Sequence, residues 1–318
     1  MRVTPVGKLL VAGAALLALA ACDLPRPAGE GVIRYRDQVF TSVTRTADVQ
    51  YATGAGADGA PVALKLDVYR PDGDTQTRRA AVVFVHGGGY SGGDKGSGPS
   101  AQLAASFPKL GYVTFSVNYR LLAPPGGCTG ATAGSNECIF AAVSAITDAQ
   151  AAVRWIRAHA AEYGVDPGRI GIAGESAGGI TATGVGLYAE NPNNDGEDVS
   201  VSPRVQGFFS ISGGLPGGIF ATADDAPGVL VSGTADGVVP YQWSVDTATA
   251  MTNLGRLGLL QPIEGAGHVP WSEPNRTHIT EQAQYFFYYV LDLANAAGQS
   301  PATGEAAERQ LRDLMLSR

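Results

Sequence analysis

Charge is scarce in this sequence. Of its 318 residues only 16% are Asp, Glu, Lys or Arg, and the formal net charge is −7. Ordinary soluble domains carry about a quarter charged residues, so this surface relies on neutral polar groups and turns. With no excess of basic residues there is no footprint for nucleic acid or other phosphate-rich partners. Cysteine and histidine are also few, three and four in the whole chain. Cys128 and Cys138 have no histidine nearby, so they cannot complete a zinc shell, and nothing in the sequence calls for a metal or other cofactor. The apolar run at the N-terminus, Leu9 to Ala21, spans 13 residues. That is short of the roughly 20 needed to cross a bilayer. No internal repeat is present, which argues against propellers and solenoids. What the chain does have is glycine, 43 residues of it, and 45% hydrophobic residues, enough to bury one large core.

The N-terminal run reads as a targeting segment. Arg2 and Lys8 precede it, and it ends in Leu19-Ala20-Ala21-Cys22. That ending resembles a bacterial lipoprotein box, which implies cleavage after residue 21 and a lipid anchor on Cys22. The alternative is an ordinary secretory signal with a chance cysteine. Residues 22–31 are rich in Pro and Gly and read as a tether, leaving 32–318 as the main domain. The expected location is the bacterial cell envelope, on a membrane. An oxidising compartment favours a Cys128–Cys138 disulfide closing a Gly-rich loop, with two separate thiols as the alternative.

Within the domain, Val32–Thr41 and the stretch from Val62 alternate apolar and polar residues, as half-buried antiparallel strands do. From Ala80 the pattern changes. AAVVFVH, YVTFSVNYR, RIGIAG, VQGFFSIS, GVLVSG and LLQPIEG are short and nearly all apolar, the pattern of strands covered on both faces. Helical stretches lie between them, clearest at 140–163 and 277–296, and residues 303–318 read as a terminal helix. The predicted class is therefore α/β, a mostly parallel sheet with helices on both faces and antiparallel strands at its N-terminal side. The connection between VQGFFSIS and GVLVSG is too short and too rich in Gly and Pro to build a helical cap.

Chemistry on an open parallel sheet collects at the carboxyl ends of the strands. There the sequence offers His86-Gly87-Gly88-Gly89-Tyr90, then Gly174-Glu175-Ser176-Ala177-Gly178, then Asp236, then His268. Ser176 sits in GIAGESAGGI, where a strand turns directly into a helix. Such a turn forces the serine into a strained backbone conformation, and Gly174 and Gly178 must be nearly bare to let the chain pass. A serine hydroxyl needs a base, which His268 supplies near neutrality. Asp236 would orient that imidazole and stabilise its cation. The oxyanion formed on attack needs unobstructed N–H donors, which a glycine run provides together with the amide after the serine.

These residues resemble the α/β-hydrolase superfamily in its HGGG-containing esterase and lipase branch. HGGGY at 86–90, NYRL at 118–121, DAQAAVRWIRAHA from Asp148 and DPGRIGIAGESAGG from Asp166 follow that branch in order, over roughly residues 62–296. HGGGYSGGDK is similar to compact bacterial feruloyl and acetyl esterases, whereas GESAGG is similar to the type-B carboxylesterases. The resemblance implies Ser176 as nucleophile, Asp236 as acid and His268 as base. It also implies oxyanion donors at Gly88, Gly89 and Ala177, with His86 shaping the donor loop. It departs from the hormone-sensitive-lipase-like group in having Glu175 where that group has Asp. The implied activity is hydrolysis of a small or polymer-borne carboxylic ester, with short acyl groups favoured and no cofactor required. A serine peptidase of the prolyl-oligopeptidase kind shares the triad, but no propeller repeat precedes the sheet. A non-catalytic binding module would typically have lost the serine or the histidine. Asp224 and Asp225 precede their strand rather than follow it and read as a solvated turn. Trp271 fits either the substrate mouth or the packing, and Glu175 either a bond beneath the triad or a structural contact.

Overall fold

The computed structural model describes residues 23–187, 199–295, 308–309 and 311–313. The stretch read as a targeting segment, 1–21, and Cys22 lie outside the described residues, as does most of the stretch read as a terminal helix.

Eight strands form one sheet: β1 (Val43–Ala55), β2 (Pro61–Pro71), β3 (Arg79–Val85), β4 (Val113–Val117), β5 (Val165–Glu175), β6 (Phe208–Ile211), β7 (Gly228–Gly233) and β8 (Gly258–Ile263). Their spatial order is β1-β2-β4-β3-β5-β6-β7-β8. The β1–β2 and β2–β4 pairings are antiparallel, and every pairing from β4 to β8 is parallel. This is the α/β architecture that the apolar strands predicted.

The reason is visible in β3. All seven of its residues are buried. Ala81, Val83 and Val85 face one core while Ala80, Val82 and Phe84 face the other. Because successive strand side chains point to opposite faces, such a strand needs helices on both sides. Helices α2 (Asn136–Ala158), α4 (Ala177–Leu187) and α5 (Tyr241–Asn253) cover the first face. Helices α1 (Gly98–Ser106) and α6 (Asn275–Val290) cover the second. A single turn, α3 (Ala160–Tyr163), continues α2 after a break at His159. Helix α2 is apolar and long enough to cross a membrane, but most of it is buried in the fold as a core helix. The aromatic run of α6 packs as expected, with Phe286 and Phe287 fully buried.

Two N-terminal features differ from the sequence reading. Residues 32–41 are not a strand. They form turns docked on the end of α1's connection, where Tyr35 N–H donates to Leu110 O at 2.7 Å and Val39 N–H to Lys109 O at 2.8 Å. The alternation there reflects a docked loop, and the outer strand begins only at Val43. The segment read as a tether also lies against the domain. Leu24 is buried and its N–H meets Gln282 Oε1 at 2.6 Å. The Arg36 guanidinium gathers the carbonyls of Pro27, Gly29 and Gly31. A charged donor fork that binds three carbonyls gives a Pro/Gly segment the order that its composition lacks.

Candidate active site

Strand β5 runs into α4 through Ser176, whose φ is +55°. A side-chain-bearing residue is strained there, and the neighbours absorb the tight geometry. A Cβ on Gly178 would fall 2.0 Å from Val85 O, and one on Gly174 would fall 2.2 Å from Gly178 O. Both obstacles are backbone, so both positions require glycine. The Ser176 N–H is secured to Ile211 O at 2.8 Å, and its hydroxyl is left partly exposed above the sheet edge.

The loops after β7 and β8 are tied together at their roots. Ala235 N–H donates to Ala266 O at 2.9 Å and Thr234 N–H to Ile263 O at 3.1 Å. They carry Asp236 and His268. His268 Nε2 lies 2.8 Å from Ser176 Oγ, and His268 Nδ1 lies 2.8 Å from Asp236 Oδ2. A carboxylate can only accept, so Nδ1 carries the proton and Nε2 is free to accept from the serine. Asp236 Oδ1 also accepts from the amides of Val238 (2.9 Å) and Val239 (3.0 Å). Burial raises the Asp236 pKa, but the His268 bond and these two amides outweigh it and hold the carboxyl below its ordinary range. The side chain of Asp236 is fully buried, and that of His268 is 22% exposed. Behind the histidine, Val269 N–H is held by Ser212 Oγ at 2.9 Å.

The glycine loop after β3 faces this line. Gly88 has φ +124° and Gly89 φ +59°. A Cβ on Gly88 would fall 2.1 Å from Gly92 O, and one on Gly87 would fall 3.2 Å from Ser176 Cβ. Among the described residues, the amides of Gly88, Gly89 and Ala177 donate to no protein acceptor. Ala177 opens α4, so the positive end of that helix lies beside the serine. His86 is buried, its Nδ1 2.7 Å from Gly87 O and its ring stacked on Tyr119 at 4.5 Å. Burial lowers its pKa and keeps the ring neutral, as suits a residue that shapes the loop. Tyr119 Oη donates to His86 O and Tyr90 Oη to Ala177 O, both at 3.0 Å.

The structure thus brings together Ser176, Asp236, His268, Gly88, Gly89, Ala177 and His86. It joins Cys128 to Cys138 in a disulfide. Glu175 is 4% exposed, accepts Gly87 N–H at 3.1 Å and contacts Ser100 Oγ. Ser100 is a contributor that the sequence reading missed, being 75 residues away with no motif around it. Trp271 joins the histidine loop to α1, its Nε1 donating to Gln102 Oε1 at 3.0 Å. Asp225 is not a solvated turn residue: it is 5% exposed and accepts from the amide and hydroxyl of Thr222, while Asp224 is exposed. His159 stacks on Trp155, and His278 lies 3.3 Å from Asp23. No group of three or more His, Cys, Asp or Glu converges as a metal site among the described residues.

A BD-FAE family model matches residues 66–208. Secreted lipase 5 of Gibberella zeae is 28% identical over 208 residues, 59% of this chain and 37% of that protein. Carboxylesterase NlhH of Mycobacterium tuberculosis is 40% identical over 103 residues, 31% of this chain and 26% of its own. The chain therefore spans well under half the length of these curated relatives. Among solved structures, the thermophilic esterase Est2 of Thermogutta terrifontis superposes with a TM-score of 0.60 at 25% identity, covering 75% of this chain and 91% of that one. A truncated carbohydrate esterase from gut microbiota shares the fold, with a TM-score of 0.61 at 20% identity over 80% of this chain and 98% of its own. With this sheet order, this turn at Ser176 and these likenesses, the chain has an α/β fold and is similar to the esterase and lipase branch of the α/β-hydrolase superfamily.

Proposed function

We propose that the protein is a serine carboxylic-ester hydrolase working through an acyl-enzyme intermediate. The observation that carries this reading is the unbroken line Ser176 Oγ, His268 Nε2, His268 Nδ1, Asp236, with 2.8 Å at both of its contacts. As Ser176 Oγ bonds to the ester carbonyl carbon, its proton passes to His268 Nε2. The carbonyl oxygen becomes an oxyanion and accepts from the amides of Gly88, Gly89 and Ala177. Collapse breaks the carbon–alkoxy bond, and the imidazolium hands its proton to the departing alcohol. Water then repeats the attack, giving up a proton to His268, and the carboxylic acid leaves with Ser176 restored. Asp236, held ionised, keeps the histidine tautomer in place and offsets the cation in both steps.

Short acyl groups suit this site. Residues 212–227, between β6 and β7, contain only one 3₁₀ turn (Pro216–Gly218), so among the described residues no helical cap covers the cleft. A structure of the Thermogutta terrifontis esterase at 26% identity carries bound propionate, which agrees with that size. The test is turnover of p-nitrophenyl acetate and butyrate by the wild type and by Ser176→Ala. The variant should lose activity by at least a thousandfold while keeping its fold. Full activity in the variant would end this reading.

The Leu19-Ala20-Ala21-Cys22 sequence supports a lipid anchor on Cys22 and a place in the bacterial envelope. The Cys128–Cys138 disulfide suits an exported protein. Cys22→Ser should shift the protein from membrane to soluble fractions, and an unmodified, wholly soluble wild type would refute the anchor.

A further inference from the structure

Between β4 and α2 the chain crosses from one side of the site to the other. Two of its amides, two residues apart, reach the two halves of the catalytic machinery. Cys128 N–H donates to Gly89 O at 2.9 Å, on the donor loop. Gly130 N–H donates to Val238 O at 2.8 Å, and the amide of that same Val238 donates to Asp236 Oδ1 at 2.9 Å. Gly127, with φ +75°, lies so close to the donor loop that a Cβ there would meet Gly89 O at 3.1 Å. The segment carrying these contacts is bonded through Cys128 to Cys138, on the first turn of the buried helix α2. Both half-cystines are buried, and Cys138 N–H is capped by Ser135 Oγ.

We infer that the Cys128–Cys138 disulfide is a positioning element for catalysis: it fixes the 127–130 segment as a strut that sets the Gly88–Gly89 donors against the Asp236–His268 pair. The inference rests on the esterase reading above. The strut touches neither substrate nor the reacting atoms. It acts through the Gly89 carbonyl, which fixes the orientation of the donor loop, and through Val238, which cradles the acid. A donor displaced by a fraction of an ångström gives up much of the transition-state stabilisation while leaving ground-state binding almost intact. Cutting the strut should therefore lower kcat rather than raise KM.

The test compares the oxidised wild type, the wild type reduced with a phosphine, and the double variant Cys128→Ser/Cys138→Ser. Reactive sites are counted by titration with a serine-directed phosphonate, so that unfolded molecules drop out and turnover is expressed per folded site. Turnover per site should fall at least tenfold in both perturbed forms, with KM within twofold of the oxidised wild type, and reoxidation should restore the reduced enzyme. If the disulfide serves only stability, the number of titratable sites falls but turnover at each is unchanged. That result, or loss of all sites in both perturbed forms, would overturn the inference. An oxidised wild type that neither titrates nor turns over would instead refute the esterase reading, and the strut's role with it.

Discussion

Replacing Glu175 by Gln should make the stability of the protein less sensitive to pH, by an amount that can be worked out from the structure. Glu175 is 4% exposed, beside the nucleophile, and burial pushes its carboxyl up to about 7 against the ordinary 4.5. The bonds from Gly87 N–H and Ser100 pull it down, but burial outweighs them, and one contact can also accommodate the protonated form. Ser100 Oγ has one proton and lies within reach of two acceptors, Val85 O at 2.8 Å and Glu175 Oε2. If the hydroxyl donates to Val85, the carboxyl must supply the proton for the second contact. A folded-state pKa above the unfolded value means that the folded protein binds this proton more tightly. The stabilisation is complete below pH 4.5 and is lost as pH rises through 7. A shift of that size corresponds to about 3 kcal/mol over the whole window. Gln keeps the acceptor for Gly87 N–H and can donate to Ser100, yet carries no titrating proton. Urea unfolding of both proteins at intervals from pH 4 to pH 8 provides the assay, since other groups titrate alike in each. The Gln variant should gain about 3 kcal/mol relative to wild type across the range. A stability gap that stays constant with pH would refute the reasoning.

At the turn, Gly178→Ala should abolish activity and destabilise the protein by several kcal/mol, because the new Cβ would fall 2.0 Å from Val85 O and 2.6 Å from His86 O, neither of which can swing aside. Chemical denaturation and ester turnover read both effects, and a near-native variant would contradict the steric account. Among p-nitrophenyl esters, rates should fall as the acyl chain grows beyond a few carbons, with no jump where the substrate passes its solubility limit. A strong preference for long chains, or sharp activation at an oil–water interface, would mean that the cleft is covered in a way the described residues do not show.

The parts of the site that could be read in the sequence share one property: each follows a short, mostly apolar strand of the parallel part of the sheet. Strands such as β3 and β7 stand out as short β-branched runs, so the residues just beyond them could be picked out as strand-end candidates. Gly174 and Gly178 were legible because their bareness answers a local steric demand. The parts that escaped depend on distant partners. Ser100 meets Glu175 across 75 residues, and the Cys128 and Gly130 amides make contacts that no motif records. Strand β1 was hidden because, at the sheet edge, seven of its thirteen residues are exposed and its apolar signal is weak. Residues 24–31 gave only a flexible composition, since their order comes from Arg36 and Gln282 outside the segment.

The central claim is that Ser176, activated by His268, is the group that takes up the acyl chain. Its most direct test is peptide mapping by mass spectrometry after exposure to diethyl p-nitrophenyl phosphate, in which an activated serine oxygen displaces p-nitrophenolate and keeps the diethylphosphoryl group. The wild type should carry one adduct per chain, on the peptide containing Ser176. Labelling should be lost in Ser176→Ala and slowed by orders of magnitude in His268→Ala. A stoichiometric adduct on any other residue, or undiminished labelling of the Ser176→Ala protein, would contradict the account.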